Sequence, residues 1–431
     1  MTVRIAVLGA GVVGSSVLRL AGRSYSRFKL EEAAGGSFEI KRVLVRNLKK
    51  QRELPLPEGY ATTDFAEILS DPEIQIVVSL VGDTEAELNY CLASLRAGKV
   101  VVTANKVMLA KYGPELFKAA RQSGSALLFE AAVGGGIPFV DALISGRLAV
   151  NDITSVQAII NGTTNFILTK MVENGASYND VLLEAQQLGF AEPDPSFDVG
   201  GQDAAFKLAV LASLTFGIWV DVESIHVEGI TDVSEKDLWF ATKLGYTIKL
   251  IASASRNSLD ELDLWVAPAL VKKGHFLASV GGATNAIMFE GSPIGSVVYQ
   301  GPGAGGDPTA ASVWSDIAKA ARSILSNQAI PLPRFDQELE VCSSQNSESH
   351  YAIRVMVKDE IGVTRDVGGV FADAGISIDQ MLQLDETKRD GEAEAVFTTN
   401  TAMRANIITA ITQLKALPTC RDITSFMRVI Q

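Results

Sequence analysis

The stretch VRIAVLGAGVVG, residues 3–14, limits the available folds more than any other part of the chain. Its first six residues are a short apolar run of the kind that becomes a buried parallel strand, and Gly9, Gly11 and Gly14 come next at G-x-G-x-x-G spacing. Each glycine has a mechanical reason. Gly9 permits the tight turn, Gly11 lets a pyrophosphate approach the backbone, and Gly14 lets the adjoining helix pack closely on the strand. With Ala10, Val12 and Val13 they form a loop whose free N–H groups and positive helix end suit an anion. The alternative is a strand, a glycine turn and a helix with no ligand, and the order of the later elements weighs against it.

Further strand-like runs appear at 40–45, 74–81, 99–104 and 125–131, separated by helical patterns that include 85–97 and 106–122. Strands alternating with helices predict a doubly wound parallel sheet of the Rossmann type. Cofactor choice is read at the end of the second strand, where an acid suits the ribose of NAD and arginine suits the extra phosphate of NADP. Here Arg46, Lys49 and Lys50 come before the first acid, Glu53. NADP(H) is favoured, with NAD(H) the alternative cofactor; the other reading is a solvated basic loop.

At 431 residues the chain is too long for one core, so two or three domains are expected. A net charge of -12 and the lack of a basic stripe argue against nucleic acid and anionic lipid and for a small-molecule partner. Cys91, Cys342 and Cys420 are odd in number and far apart, which suggests neither a disulfide framework nor a zinc knuckle and fits a reducing cytoplasm. The longest apolar run, 208–220, falls short of the roughly 18 residues a membrane span needs. The apolar start has glycines spaced for another purpose and reads as mature structure rather than a secretory signal.

Three later stretches carry polar chemistry. EAAVGGGIPFVDAL (130–143) is a glycine run closing on a helix start, either a domain connection or a cation site built from backbone oxygens. In IINGTTNFI (159–167), Asn161 and Thr163 either hold the charged ends of an amino acid or cap a helix. In AEPDPSFDVGGQDAAFK (191–207), Pro193 and Pro195 are expected to keep the chain extended, after which a helix runs to about Gly217. Asp203 and Lys207, four apart, then share a helix face. The prolines and the lack of a suitably placed glutamate do not match an EF-hand. An exposed i,i+4 pair, worth about 0.3–0.5 kcal/mol, is the structural rival. For a lysine entering an apolar helix, burial lowers the pKa and a carboxylate raises it, a competition that can suit the amine to proton transfer.

Through TANK (103–106), GGGIP (134–138), NGTTNFI (161–167), GFAEPDPSFDVGGQDAAFK (189–207) and GPGAGGDPTA (301–310), in that order, the chain resembles the homoserine dehydrogenase family over essentially its whole length. The resemblance implies reversible NAD(P)-dependent hydride transfer between L-homoserine and L-aspartate 4-semialdehyde, in threonine, methionine and isoleucine biosynthesis. It makes Lys207 the proton donor to the aldehyde oxygen and Lys106 a second essential lysine close to nicotinamide and substrate. Glu192 and Asp203 would hold the substrate's ammonium and hydroxyl ends, with Gly189 beside them, and Gly189, Gly303 and Gly305 would add to the cofactor contacts. A monovalent cation, usually sodium, would rest on main-chain oxygens of Glu130, Val133, Gly135 and Ile137. Ala311 stands where the family often has serine, in a segment expected mainly to return the chain to the cofactor domain as a helix.

Residues 331–349 read as a proline- and serine-rich linker, and 350–431 as β-α-β-β-α-β, a ferredoxin-like module. VKDEIGV and AGISIDQMLQ resemble an ACT domain, which implies edge-to-edge pairing and an L-threonine effector, with Gly362 in the ligand turn; a dimerisation platform without ligand is the alternative. The expected organisation is a dinucleotide-binding domain over 1–132 and 306–330, an inserted α+β catalytic and dimerisation domain over 133–305, and the ACT domain, in a homodimer or homotetramer. Two other functions are weighed: a catalytically silent cofactor-binding amino-acid sensor, and another Rossmann amino-acid dehydrogenase of the diaminopimelate type. Lys106 and Lys207 together argue against the first, and NGTTN with EPDP against the second.

Overall fold

The computed structural model describes residues 2–51, 56, 58–388 and 390–431. Glu53, the first acid after Arg46, lies outside the described residues. The chain divides into two compact units: Met1–Thr154, Phe206–Val222 and Asn285–Glu338 form the first, and Ser155–Ala205, Glu223–Thr284 and Leu339–Gln431 the second.

A six-stranded sheet organises the first unit, in the order Ala61–Thr62, Phe38–Leu44, Val3–Leu8, Ile74–Ser79, Val100–Thr103, Leu127–Leu128. All neighbours run parallel. Chain order reverses at Val3–Leu8, as the alternation of strands and helices predicts, although the apolar run at 125–131 contributes only two residues to the ladder. Both faces are covered, so the strands are continuous apolar runs. On one face Val3, Ile5 and Val7 pack with Trp314, Ile317 and Ala321 of the helix Gly306–Ser326. That helix is fastened to the glycine-loop helix Val12–Gly22 through Trp314, whose Nε1 donates to the Val17 carbonyl at 3.0 Å. Burying a side chain of this size contributes roughly 1.5–3 kcal/mol.

In the second unit one sheet runs through Asp152–Ile159, Tyr246–Arg256, Leu262–Lys272, Cys420–Ile430, Glu348–Lys358, Glu392–Thr399 and Ile378–Gln383. Its C-terminal part has the β-α-β-β-α-β order expected of a ferredoxin-like module, with helices Val363–Asp373 and Arg404–Ala416 and a core of Tyr351, Ile353, Val355, Phe371, Phe397 and Leu414. The last strand lies parallel to Leu262–Lys272, pairing Ala269, Leu270 and Val271 with Arg428, Val429 and Ile430. The C-terminal module therefore continues the sheet of the middle segment. Residues 331–347 between them form neither helix nor strand beyond one bridge from Val341 to Leu262.

A buried charge cluster reinforces that continuity. Arg354 donates through Nε to Asp237 at 3.0 Å, through Nη1 to Glu394 at 3.3 Å and through Nη2 to Ser234 at 3.2 Å. Asp237 sits in the capping box that starts the helix Glu235–Lys243. Among the described residues no helix is long and apolar enough to cross a membrane.

Candidate active site

The glycine loop has the geometry its spacing demands. Gly9 takes φ 97°, and a Cβ there would lie 2.5 Å from the Leu80 carbonyl oxygen. A Cβ on Gly14 would lie 2.1 Å from the Gly9 carbonyl oxygen, so only glycine lets helix and turn meet. Gly11 caps the helix Val12–Gly22 and faces open space. With Val12, Val13 and Gly14 it lines a cleft of about 360 Å³ whose far wall includes Ser79, Asn105 and Lys106. Ala10 closes the loop by accepting a hydrogen bond from Ser15. Gly305, at φ 117°, starts the helix Gly306–Ser326, and a Cβ on Gly306 would crowd Ser16 and Val12. Gly303 packs instead on Asn285 and on Gly135. Arg46 comes after the strand Phe38–Leu44, is 79% exposed, and reaches to 3.9 Å from Asp83.

The wall around Lys106 contains a group with no signature in the sequence. Glu87, buried in the helix Thr84–Arg96, accepts hydrogen bonds from Thr103 Oγ1 at 2.8 Å, Asn105 Nδ2 at 3.1 Å and the Gly82 N–H at 3.2 Å. Burial pushes its pKa up, and the donors oppose that shift. Asn105 in turn caps the helix Lys106–Ser123 by accepting from the Met108 N–H at 3.0 Å.

Lys106 and Lys207 both belong to the first unit and are half-buried. The segment after Lys207 lies against the helix that Lys106 starts. Trp219 covers Gly113 so closely that a Cβ there would fall 1.8 Å from the indole, and Lys111 Nζ stands 5.8 Å from the Phe206 ring centroid.

In the second unit Asn161 is the centre of a polar corner. Its Nδ2 donates to Asp198 Oδ1 at 2.7 Å and to Asp203 Oδ2 at 2.8 Å, while its Oδ1 caps the helix Gly162–Asn174 at the Thr164 N–H. Capping and carboxylate binding thus occur in one side chain. Thr163 Oγ1 donates to the Phe190 carbonyl at 2.7 Å. Asp198 has no distinguishing signal in the sequence, being one of several acids in a loop. The extended course expected through Pro195 is not what the chain adopts, because Ser196–Val199 is a helical turn. Pro195 stands at its N-cap, where a missing N–H costs nothing, Asp194 accepts from the Ser196 N–H at 3.1 Å, and the turn carries Asp198 to Asn161. Asp203 then begins the helix Gln202–Phe216, with Lys207 one turn later. Glu192 is exposed, its carbonyl accepting from Gln186 Nε2 at 3.1 Å, and Gly189 is an exposed turn residue at φ 77°.

This corner is braced from below. Lys249, buried on the strand Tyr246–Arg256, donates to Asn165 Oδ1 at 3.0 Å and to the Val280 carbonyl at 2.6 Å. Asn165 also donates to Val280 and Thr284, which holds the 280–284 turn against Gly162, where a Cβ would lie 2.9 Å from the Ala283 carbonyl oxygen. Desolvation lowers the Lys249 pKa to about 8, partly opposed by the charge of Glu173.

The glycine run forms a left-handed turn, Gly134 at φ 74° and Gly135 at φ 55°, closed by the Ile137 N–H on the Gly134 carbonyl at 3.0 Å. Gly135 passes so near Gly303 that a Cβ would fall 2.4 Å from its carbonyl oxygen. Buried Glu130 uses its carboxylate on the N–H groups of Phe139, Val140 and Asp141, each at 2.8 Å, and Val133 and Ile137 are buried beside the turn. Among the described residues no group of three or more His, Cys, Asp or Glu side chains could hold a metal ion.

Comparison with known proteins agrees with this architecture. Residues 138–318 match the family model described as homoserine dehydrogenase, 9–130 its NAD binding domain, and 351–419 the ACT domain. A homoserine dehydrogenase from Synechocystis is 40% identical over 439 residues, covering 100% of both chains. The crystal structure of a homoserine dehydrogenase from Thiobacillus denitrificans superposes with a TM-score of 0.92 at 36% identity, covering 100% of this chain and 98% of that one. A hyperthermophilic archaeal homoserine dehydrogenase solved in complex with NADPH gives a TM-score of 0.63 at 27% identity, over 78% of this chain and 100% of that one. A nicotinamide-binding Rossmann domain, the catalytic segment and an ACT module, matched in order along the full length, make this chain an oxidoreductase of the homoserine dehydrogenase family.

Proposed function

We propose that the chain reduces L-aspartate 4-semialdehyde to L-homoserine, reversibly and with NADPH preferred, and that Lys207 is the proton donor. The observation that carries this reading is the helix Gln202–Phe216, which sets Lys207 one turn after Asp203, a carboxylate already fixed by Asn161 at 2.8 Å. A bound nicotinamide supplies the hydride to the aldehyde carbon. As charge grows on the aldehyde oxygen, the Lys207 ammonium gives it a proton, which leaves a neutral amine to be reprotonated from solvent. Asp203 and Asp198, which Asn161 orients with help from Thr163 at Asp198, are anions suited with Glu192 to the substrate's ammonium and hydroxyl ends, and Lys106 acts from the cofactor side. Arg46, exposed at the end of the second strand, suits the 2'-phosphate, and the archaeal relative was solved with NADPH.

The turn at Gly135 fits a monovalent cation. Its donors would be the neutral carbonyls of Glu130, Val133, Gly135 and Ile137, and the Gly135 oxygen, which accepts from Ser312 Oγ at 2.6 Å, keeps a second lone pair. Sodium there would hold the turn. L-Threonine is proposed as the effector of the ACT module, with Gly362, left-handed at φ 101° before the helix Val363–Asp373, in the ligand turn. Initial rates with NADPH and NADH, with and without threonine, test these points together. Semialdehyde-dependent NADPH oxidation slowed by threonine is expected; no semialdehyde-dependent oxidation would refute the reading.

A further inference from the structure

Glu87 is a carboxylate placed where a helix on a protein surface would normally put it in water. It is instead 1% exposed and lies in the wall of the cofactor cleft. Its three donors come from two different loops. Gly82 lies just past the strand Ile74–Ser79, whereas Thr103 and Asn105 end the strand Val100–Thr103 and lead into the helix of Lys106. In a doubly wound sheet these are the loops at the carboxyl ends of adjacent strands, where a dinucleotide lies.

The bonds close on themselves. Thr103 Oγ1 donates to Glu87 Oε1 and accepts from the Asn105 N–H at 3.1 Å, and Asn105 Nδ2 donates to Glu87 Oε2. With its NH₂ end committed to the carboxylate, the Asn105 amide can turn only its oxygen to the Met108 N–H, which fixes the first turn of the helix and with it the Cα of Lys106. A carboxylate does this because the Gly82 N–H, Thr103 Oγ1 and Asn105 Nδ2 all donate to it and the nearby Ser79 hydroxyl can do the same; an amide in its place would set an N–H against one of them.

We propose that Glu87 is a positioning residue for the nicotinamide half of the cleft, holding two strand-end loops together and setting Lys106 through Asn105. The consequence for Lys106 rests on the function proposed above. The bonds of this network fall on Gly82, Thr103 and Asn105 and not on the glycine loop, so phosphate binding there is expected to be spared and the two effects to separate.

The test measures kcat and NADPH dissociation constant for Glu87→Gln, Asn105→Ala, the double variant and Lys106→Ala, with melting curves for each. Glu87→Gln is expected to lower kcat at least tenfold, with NADPH affinity within threefold of the parent. The double variant should be no slower than the slower single one, because the two residues act in series. A Glu87→Gln kcat within threefold of the parent, or losses that multiply in the double variant, would overturn the proposal. Full activity in Lys106→Ala alone would instead remove the role given to Lys106 while leaving the Glu87 result to stand on its own. Should Glu87→Gln not fold, Thr103→Val deletes one donor to the same carboxylate and is expected to lower kcat at least threefold; an unchanged kcat overturns the proposal.

Discussion

Replacing Lys249 with methionine should make the protein's stability respond to pH in a way that identifies the buried ammonium. In the folded chain Lys249 has a pKa of about 8, against 10.5 for an ordinary lysine, because burial disfavours its charge more than Glu173 favours it. Below pH 8 both folded and unfolded chains carry the proton, and the folded state bears the full penalty. Between about 8 and 10.5 the unfolded chain binds the proton and the folded one does not, so stability rises with pH. At about 1.4 kcal/mol per pH unit, that interval amounts to roughly 3 kcal/mol. Lys249→Met removes this dependence while also taking the ammonium donor from Asn165 Oδ1 and from the Val280 carbonyl, which keeps the Asn165 amide as its second donor. Urea unfolding of both proteins from pH 7 to 10.5 isolates the effect, since every other titrating group cancels in the difference. The parent should gain roughly 3 kcal/mol on the variant over that range. A difference that stays flat with pH would show that the amine is not held as described.

Three other perturbations rest on single distances. Gly14→Ala sets a methyl 2.1 Å from the Gly9 carbonyl oxygen and should weaken NADPH binding more than tenfold by fluorescence titration; affinity within twofold of the parent would contradict the close approach. Arg354→Met leaves the Asp237 and Glu394 carboxylates buried without their guanidinium and should cost about 3 kcal/mol in chemical unfolding, whereas a loss below about 1 kcal/mol would mean the cluster is solvated. Arg46→Asp should shift the ratio of kcat/KM for NADPH over NADH toward NADH by at least tenfold, and an unchanged ratio would take this arginine away from the phosphate.

The parts of the molecule legible in the sequence are those set by short-range sterics. Gly9 and Gly14 announce themselves because no other residue fits between turn, strand and helix, and the apolar strands of the first unit arise from burial on both faces. The turn at Ser196–Val199 is hidden because Pro193 and Pro195 suggest extension, yet a proline at a helix start has no hydrogen bond to lose. Pairing of residues 269–271 with 428–430 joins segments 159 positions apart, and nothing local encodes it. Glu87 and Lys249 look in sequence like ordinary surface charges. Only the fold shows that donors surround one and carbonyl oxygens the other.

In the proposed reaction the Lys207 ammonium supplies the proton. The most direct measurement is kcat for semialdehyde reduction in Lys207→Ala, paired with NADPH titration of the same preparation. Turnover should fall by ~10² to 10⁴, the range for loss of a general acid, with NADPH affinity nearly intact. A variant that turns over within tenfold of the parent would contradict the account, and equal loss of binding and turnover would make this lysine architectural.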